Sequence, residues 1–266
     1  MSLEVLSRPA QGTPKSTPLL FVHGAWHGAW CWDEYWMPYF AQQGYPCYAL
    51  SLRGHGGSPA VKPMFLNSIN DYVQDVATIA ARIKDETGQP PALIGHSMGG
   101  FITQKYLEKY DAPAGVLLAS IPIHGALPFF LRLAVTQPLA TLKSLFTLTL
   151  YSYVASPELA RRHFFSADVP QSDIQRYFAR LGNESWRMAF DVLLLNLPRP
   201  KKIMTPLLVV AAANDQVFMP WEEKRTAQAY HTEALMLPDT AHDVMLETRW
   251  QAAADQILAW LAQRGL

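Results

Sequence analysis

Ser97 lies between two glycines in Gly95-His96-Ser97-Met98-Gly99, where the apolar run Pro91-Ala92-Leu93-Ile94 gives way to the helical stretch Phe101 to Leu107. A strand that turns straight into a helix strains its corner residue, and neighbours without side chains let the chain bend that tightly. Such a corner holds one hydroxyl out at the carboxyl end of a sheet, the arrangement of a nucleophile elbow. A serine hydroxyl is a weak nucleophile at neutral pH. It needs a base within hydrogen-bond reach, and the base needs an acid to orient it. His242, in Asp239-Thr240-Ala241-His242-Asp243, follows the last short apolar run and is the candidate base. Asp215, in Ala213-Asn214-Asp215-Gln216-Val217, follows a strong strand and is the candidate orienting acid. The alternative loop from Ser120 to Leu127 holds no carboxylate. Asp239 and Asp243 are so near His242 in sequence that they orient it less readily.

An acyl-transfer transition state also needs two N–H donors for its oxyanion. The first is the backbone N–H of Met98, at a helix start where the dipole favours negative charge. The second comes from the loop His23-Gly24-Ala25-Trp26-His27-Gly28, where Gly24 permits close approach to Ser97; Ala25 is the expected donor and Trp26 the substitute. Trp26 is also the tryptophan expected to face substrate. His23, His27, Arg53 and His55 read as loop-stabilising, and His96 points away from Ser97. No His, Cys, Asp or Glu spacing suggests a metal, and Gly54-His55-Gly56-Gly57 is a turn rather than a phosphate-binding fingerprint, so no cofactor is expected.

The elements that must position these groups follow from the apolar pattern. Strands are expected at Leu19 to Val22, Cys47 to Leu52, around Leu93, Gly115 to Ala119, Leu207 to Ala211 and Ala234 to Leu237. Helices are expected at Asp33 to Gln43, Asp71 to Glu86, Phe101 to Leu107, Trp221 to Tyr230 and Glu247 to Arg264. Alternating strands and helices, with strands apolar throughout, predict a mostly parallel sheet covered by helices on both faces. From 125 to 198 the pattern is helical only. The expected layout is an α/β core of residues 1–124 and 199–266 carrying a helical cap, 125–198, inserted after the sixth strand.

With 266 residues, 50% hydrophobic and 17% charged, the chain has the composition of a globular protein with a sizeable core. Its 22 basic and 22 acidic residues cancel, and no basic run exists to track phosphates, so a nucleic-acid partner is not expected. The stretch Leu127 to Ala155 is interrupted by Arg132, Pro138 and Lys143, which argues against stable membrane insertion. The start of the chain does not read as a secretory signal, and two cysteines, Cys31 and Cys47, make no disulfide framework; a cytoplasmic location is expected. Oligomeric state is left open.

Together, His23-Gly24-Ala25-Trp26, Arg53-Gly54-His55-Gly56-Gly57-Ser58, Gly95-His96-Ser97-Met98-Gly99-Gly100, Asn214-Asp215 and Ala241-His242-Asp243 resemble the α/β-hydrolase superfamily, in its serine esterase and lipase branch with lysophospholipase-like members. That resemblance implies an α/β-hydrolase fold, a Ser97–His242–Asp215 triad and an acyl-enzyme intermediate. The run His23 to Trp30 also resembles the plant methyl-esterase and hydroxynitrile-lyase group. Lyases of that group carry a lysine beside the catalytic histidine and a threonine in the oxyanion loop, where this chain has Asp243 and Ala25; ester hydrolysis is favoured. The apolar residues of the cap segment point to a small-molecule ester with an apolar acyl or aromatic part, each buried methylene contributing roughly 0.8 kcal/mol. Thioester, lactone, amide or C–C hydrolysis and cofactor-free haloperoxidation use the same parts, and a ligand-binding sensor with slow turnover is the alternative from another class.

Overall fold

Short runs of continuous apolar residues become the buried central strands, flanked by less buried edge strands. In the computed structural model, which describes residues 2–266, these are β1 (Val5–Arg8), β2 (Leu19–Val22), β3 (Cys47–Leu50), β4 (Ala92–His96), β5 (Gly115–Leu118), β6 (Leu207–Ala212) and β7 (Ala234–Leu237). They form one sheet in the order β1-β3-β2-β4-β5-β6-β7, parallel except for β1, which pairs antiparallel with β3 from Val5 opposite Leu50 to Arg8 opposite Cys47. The chain therefore has the α/β-hydrolase fold. The strand order reverses between β3 and β4 on either side of β2. In open α/β sheets the crevice at such a switch point, beyond the carboxyl ends of the strands, is where ligands bind.

The helices are α1 (Trp30–Asp33), α2 (Trp36–Gln42), α3 (Ile69–Thr87), α4 (Met98–Leu107), α5 (Leu127–Thr136), α6 (Pro138–Thr147), α7 (Pro157–Phe164), α8 (Gln171–Phe178), α9 (Trp186–Phe190), α10 (Pro220–Ala229) and α11 (Trp250–Ala262). Their limits are chemical. Ser68 caps α3 in a reciprocal box with Asp71, and Gly88 ends it in the left-handed conformation at φ +78°. Ser156 and Ser185 cap α7 and α9. Among the described residues no helix is long and apolar enough to cross a membrane.

Three expectations shift. β1 is an edge strand of four residues with only half-buried side chains at Val5 and Leu6, too short for periodicity to reveal. The helix expected from Asp33 to Gln43 is two, because an unbroken helix would drive the Pro38 ring into the Glu34 carbonyl; Tyr35, at φ −137°, breaks the run. The helical insertion follows β5, the fifth strand, rather than a sixth. Residues 9–18 carry Pro9, Pro14 and Pro18 and form no further strand ahead of β2. Within the insertion α5 to α9 are joined by turns, and Asp191–Leu195 widens to π geometry.

Helix α4 lies so close to β2 that a Cβ on Gly99 would sit 2.1 Å from the Val22 carbonyl oxygen. A Cβ on Gly95 would stand 2.3 Å from the Gly99 carbonyl oxygen. Both contacts are with backbone, which cannot rotate aside. Gly99→Ala is therefore expected to lower stability by about 3 kcal/mol. Gly88→Ala meets nothing within 4 Å and carries only the left-handed penalty, about 1 kcal/mol. Urea unfolding of the two variants checks the ranking; equal losses would contradict it.

Candidate active site

Ser97 follows the last residue of β4 and precedes the first of α4, with φ +51° and ψ −117°. That conformation costs roughly 1–3 kcal/mol and persists because the glycine contacts around it leave no alternative. The corner is 6% exposed. The Met98 N–H, at the first position of α4, has no acceptor within the helix and points out from its start. A Cβ on Gly24 would stand 3.0 Å from the Ser97 Cβ, so the loop after β2 passes directly over the corner and brings Ala25 and Trp26 with it.

The loops after β6 and β7 supply the other two groups. Asp215 accepts from the N–H groups of Val217 (2.6 Å) and Phe218 (3.1 Å) through Oδ1. Its Oδ2 is left for His242, whose Nδ1–H donates to it at 2.8 Å between side chains 1% and 2% exposed. A carboxylate on Nδ1 fixes the tautomer and leaves the Nε2 lone pair free. Phe218 and Phe164 pack on the His242 ring at 5.6 and 6.0 Å, which excludes water from it. The structure thus brings His242 and Asp215 into contact. A bond from Ser97 Oγ to His242 is not among its hydrogen bonds. Such links are often long until a substrate draws them together.

Ser97 opens onto a cavity of about 30 Å³, room for one or two water-sized groups. Ala25, Trp26, Ile121, Ala126, Phe129, Phe130, Leu150, Met188, Val192, Val217 and Phe218 line it with Ser97, so its walls are almost wholly apolar. Trp26, at φ +65°, rests on Phe164 and accepts through its carbonyl from Gly182 of the insertion at 2.7 Å. A larger cleft of about 520 Å³ between Pro200 and Arg264 lies at the amino end of β6, remote from this chemistry.

Several surroundings were not legible in the sequence. Glu184, fully buried in the insertion, bonds to His55 (3.0 Å) and Tyr72 (2.9 Å) and fastens the insertion to the loop after β3 and to α3. Arg53 pairs instead with Asp75 and Asp71. His23 donates to the Gly24 carbonyl and accepts from the Leu52 N–H; burial drives its pKa well below the usual histidine range. His96 donates from Nε2 to the His242 carbonyl, and burial together with the neighbouring His242 lowers its pKa to about 3, so it stays neutral. Side-chain atoms of His96, His242 and Asp243 come within 4.8 Å of one another, a grouping that sequence spacing did not suggest. Each makes one hydrogen bond, His96 to a carbonyl, His242 to Asp215 and Asp243 to His27, while His96 Nδ1 and Asp243 Oδ1 are buried without a partner.

The sequence profile of the alpha/beta hydrolase family matches residues 19–256. A probable esterase of rice, Oryza sativa, is 30% identical over 109 residues, 40% of each chain. A monoacylglycerol lipase of Mycolicibacterium smegmatis is 25% identical over 232 residues, 84% of this chain and 80% of that protein. Among solved structures, a monoacylglycerol lipase from Paleococcus ferrophilus superposes with a TM-score of 0.74 over 99% of this chain and 100% of that one, at 19% identity. The match spans only 27% to 40% of the length of the first curated relatives.

One buried acid beside the site sets a test. Both carboxyl oxygens of Glu223 are buried without a hydrogen-bond partner. Burial, then the charges of Asp215 and Glu222, push its pKa well above the ordinary carboxylate value of 4.5. The folded chain therefore holds a proton that the unfolded chain releases above pH 4.5, and stability falls as pH rises from there, by up to about 1.4 kcal/mol per pH unit. Glu223→Gln, neutral throughout, is expected to lose this slope. Denaturant unfolding at pH 4.5 and 7 should show the variant gaining on the wild type; an unchanged gap would contradict it.

Proposed function

The chain belongs to the alpha/beta hydrolase family, and from that premise we propose that it is a serine hydrolase of carboxylic esters with an apolar acyl or aromatic part. In this reading Ser97 Oγ attacks the ester carbonyl carbon as His242 Nε2 takes the hydroxyl proton. Asp215 steadies the imidazolium through Nδ1. The N–H groups of Met98 and Ala25 hold the developing oxyanion. Collapse breaks the bond to the alcohol, which leaves with the proton from His242, and the acyl group stays on Ser97. A water, deprotonated by His242, attacks the acyl carbon; the acid departs and Ser97 recovers its proton.

One observation carries this most: the 2.8 Å bond from His242 Nδ1 to Asp215, which leaves Nε2 free to act as the base. The apolar cavity at Ser97 supports the substrate class, because a chamber walled by Phe129, Phe130, Leu150 and Met188 gives no partner to a charged acyl group. The insertion supplies those walls, and in this reading residues 125–198 act as a cap. The relatives described as a probable esterase and a monoacylglycerol lipase agree with ester chemistry.

A panel of p-nitrophenyl esters from acetate to decanoate tests the proposal. Wild type should turn over, with Ser97→Ala and His242→Ala at least about 10³-fold slower and Asp215→Asn about 10⁴-fold lower in kcat. Activity that survives Ser97→Ala would remove the nucleophile from the account. Absent turnover across the whole panel would favour a ligand-binding sensor.

A further inference from the structure

We infer that Asp243, acting through His27, is a positioning residue that aims the oxyanion loop, and that the pair His27–Asp243 couples this loop to the histidine loop. The inference rests on the serine-hydrolase reading above and names residues to which that reading gives no part.

His27 donates from Nδ1 to the carbonyl of Ala25 at 2.8 Å and from Nε2 to Asp243 Oδ2 at 2.9 Å. A carbonyl and a carboxylate oxygen only accept, so both ring nitrogens carry protons and the ring is a cation. The two side chains are 1% and 0% exposed. Burial alone would lower the His27 pKa, but the facing carboxylate outweighs it and the pKa is raised; burial likewise opposes the ionised Asp243, and His27 overcomes it. The other groups around the carboxylate are His96, with Nε2 at 3.7 Å from Oδ1, His242, the Cys31 thiol and the Glu247 carboxyl. His96 spends that proton on the His242 carbonyl, and Oδ1 has no hydrogen-bond partner. His27 is therefore the charge that answers Asp243.

What the pair accomplishes follows from peptide geometry. In a trans peptide the C=O and N–H point in opposite directions, so fixing one aims the other. His23 pins the Gly24 carbonyl, and with it the N–H of Ala25, the proposed oxyanion donor. His27 pins the Ala25 carbonyl, and with it the N–H of Trp26. Two successive amides are thus held by imidazoles, and the second is held by a cation, which polarises the peptide it touches. Trp26 sits at φ +65°, a conformation that needs such restraint. Asp243 is the residue after His242, and its own N–H donates to the Phe164 carbonyl of the insertion at 2.9 Å. One carboxylate therefore ties together the base, the oxyanion loop and the insertion. A buried ion pair is a poor source of stability compared with apolar packing of the same shape, so its presence beside the site points to geometry.

Asp243→Asn keeps the shape and removes the charge, and His27→Gln keeps a donor without the cation. Each should lower kcat roughly ten- to hundredfold with KM within about twofold, because loosening the peptide that follows the Ala25 donor weakens an interaction made in the transition state. Affinity for an alkylboronic acid, which forms a tetrahedral adduct at the serine, should fall by the same factor. Active-site titration with a fluorophosphonate corrects for unfolded protein. In addition, ¹⁵N spectra of the imidazoles should show His27 doubly protonated at pH 8 in wild type. Unchanged kcat and boronate affinity in either folded variant, or a neutral His27 ring at pH 8, would overturn the inference. If Asp243→Asn does not fold, His27→Gln and the spectra decide. If wild type hydrolyses no ester, the serine-hydrolase reading falls, and the spectra still report on the pair separately.

Discussion

The close approach of the start of α4 to β2 is the constraint from which the site is built. With Gly99 pressed on the Val22 carbonyl and Gly95 on the Gly99 carbonyl, the chain between β4 and α4 has no room for a relaxed turn. Ser97 is held at positive φ as a result, and its hydroxyl stands at the carboxyl edge of the central strands. The same crowding places the Met98 N–H next to that hydroxyl and lets the loop after β2 lie across it. Backbone packing rather than side-chain chemistry thus decides where a nucleophile can be.

The remaining parts are arranged so that few polar atoms face one another unpaired in a dry space. Asp215 spends one oxygen on backbone N–H groups and keeps the other for His242. His23, His27 and His96 each hold a loop by its backbone. His55 and Glu184 tie the insertion to the loop after β3. In this apolar setting a hydrogen bond is stronger than in water and a misplaced one costs more, so the network specifies one geometry. Glu223, buried without a hydrogen-bond partner beside Asp215 and with its pKa pushed up by that burial, is one exception and an example of stability given up near a site.

Much of this was legible because the relevant signals are local. The glycines around Ser97, the continuous apolar runs of β2, β4 and β6 and the order of Ser97, Asp215 and His242 are all short-range patterns. Other features have no local signature. β1 is too short and too exposed to show a period. In α5, Phe129 and Leu133 face inward while Leu131 and Val135 are exposed, so an all-round apolar helix hides which face lines the cavity. The bond between His27 and Asp243 joins residues 216 positions apart, and no spacing rule reaches that far.

Labelling by an alkyl fluorophosphonate, followed by mass spectrometric mapping of the adduct, is the most direct test of whether Ser97 is activated by His242. The geometry predicts a single adduct on Ser97, formed rapidly in wild type and at a small fraction of that rate in His242→Ala. An adduct on another residue, or equal labelling rates in the two proteins, would contradict it.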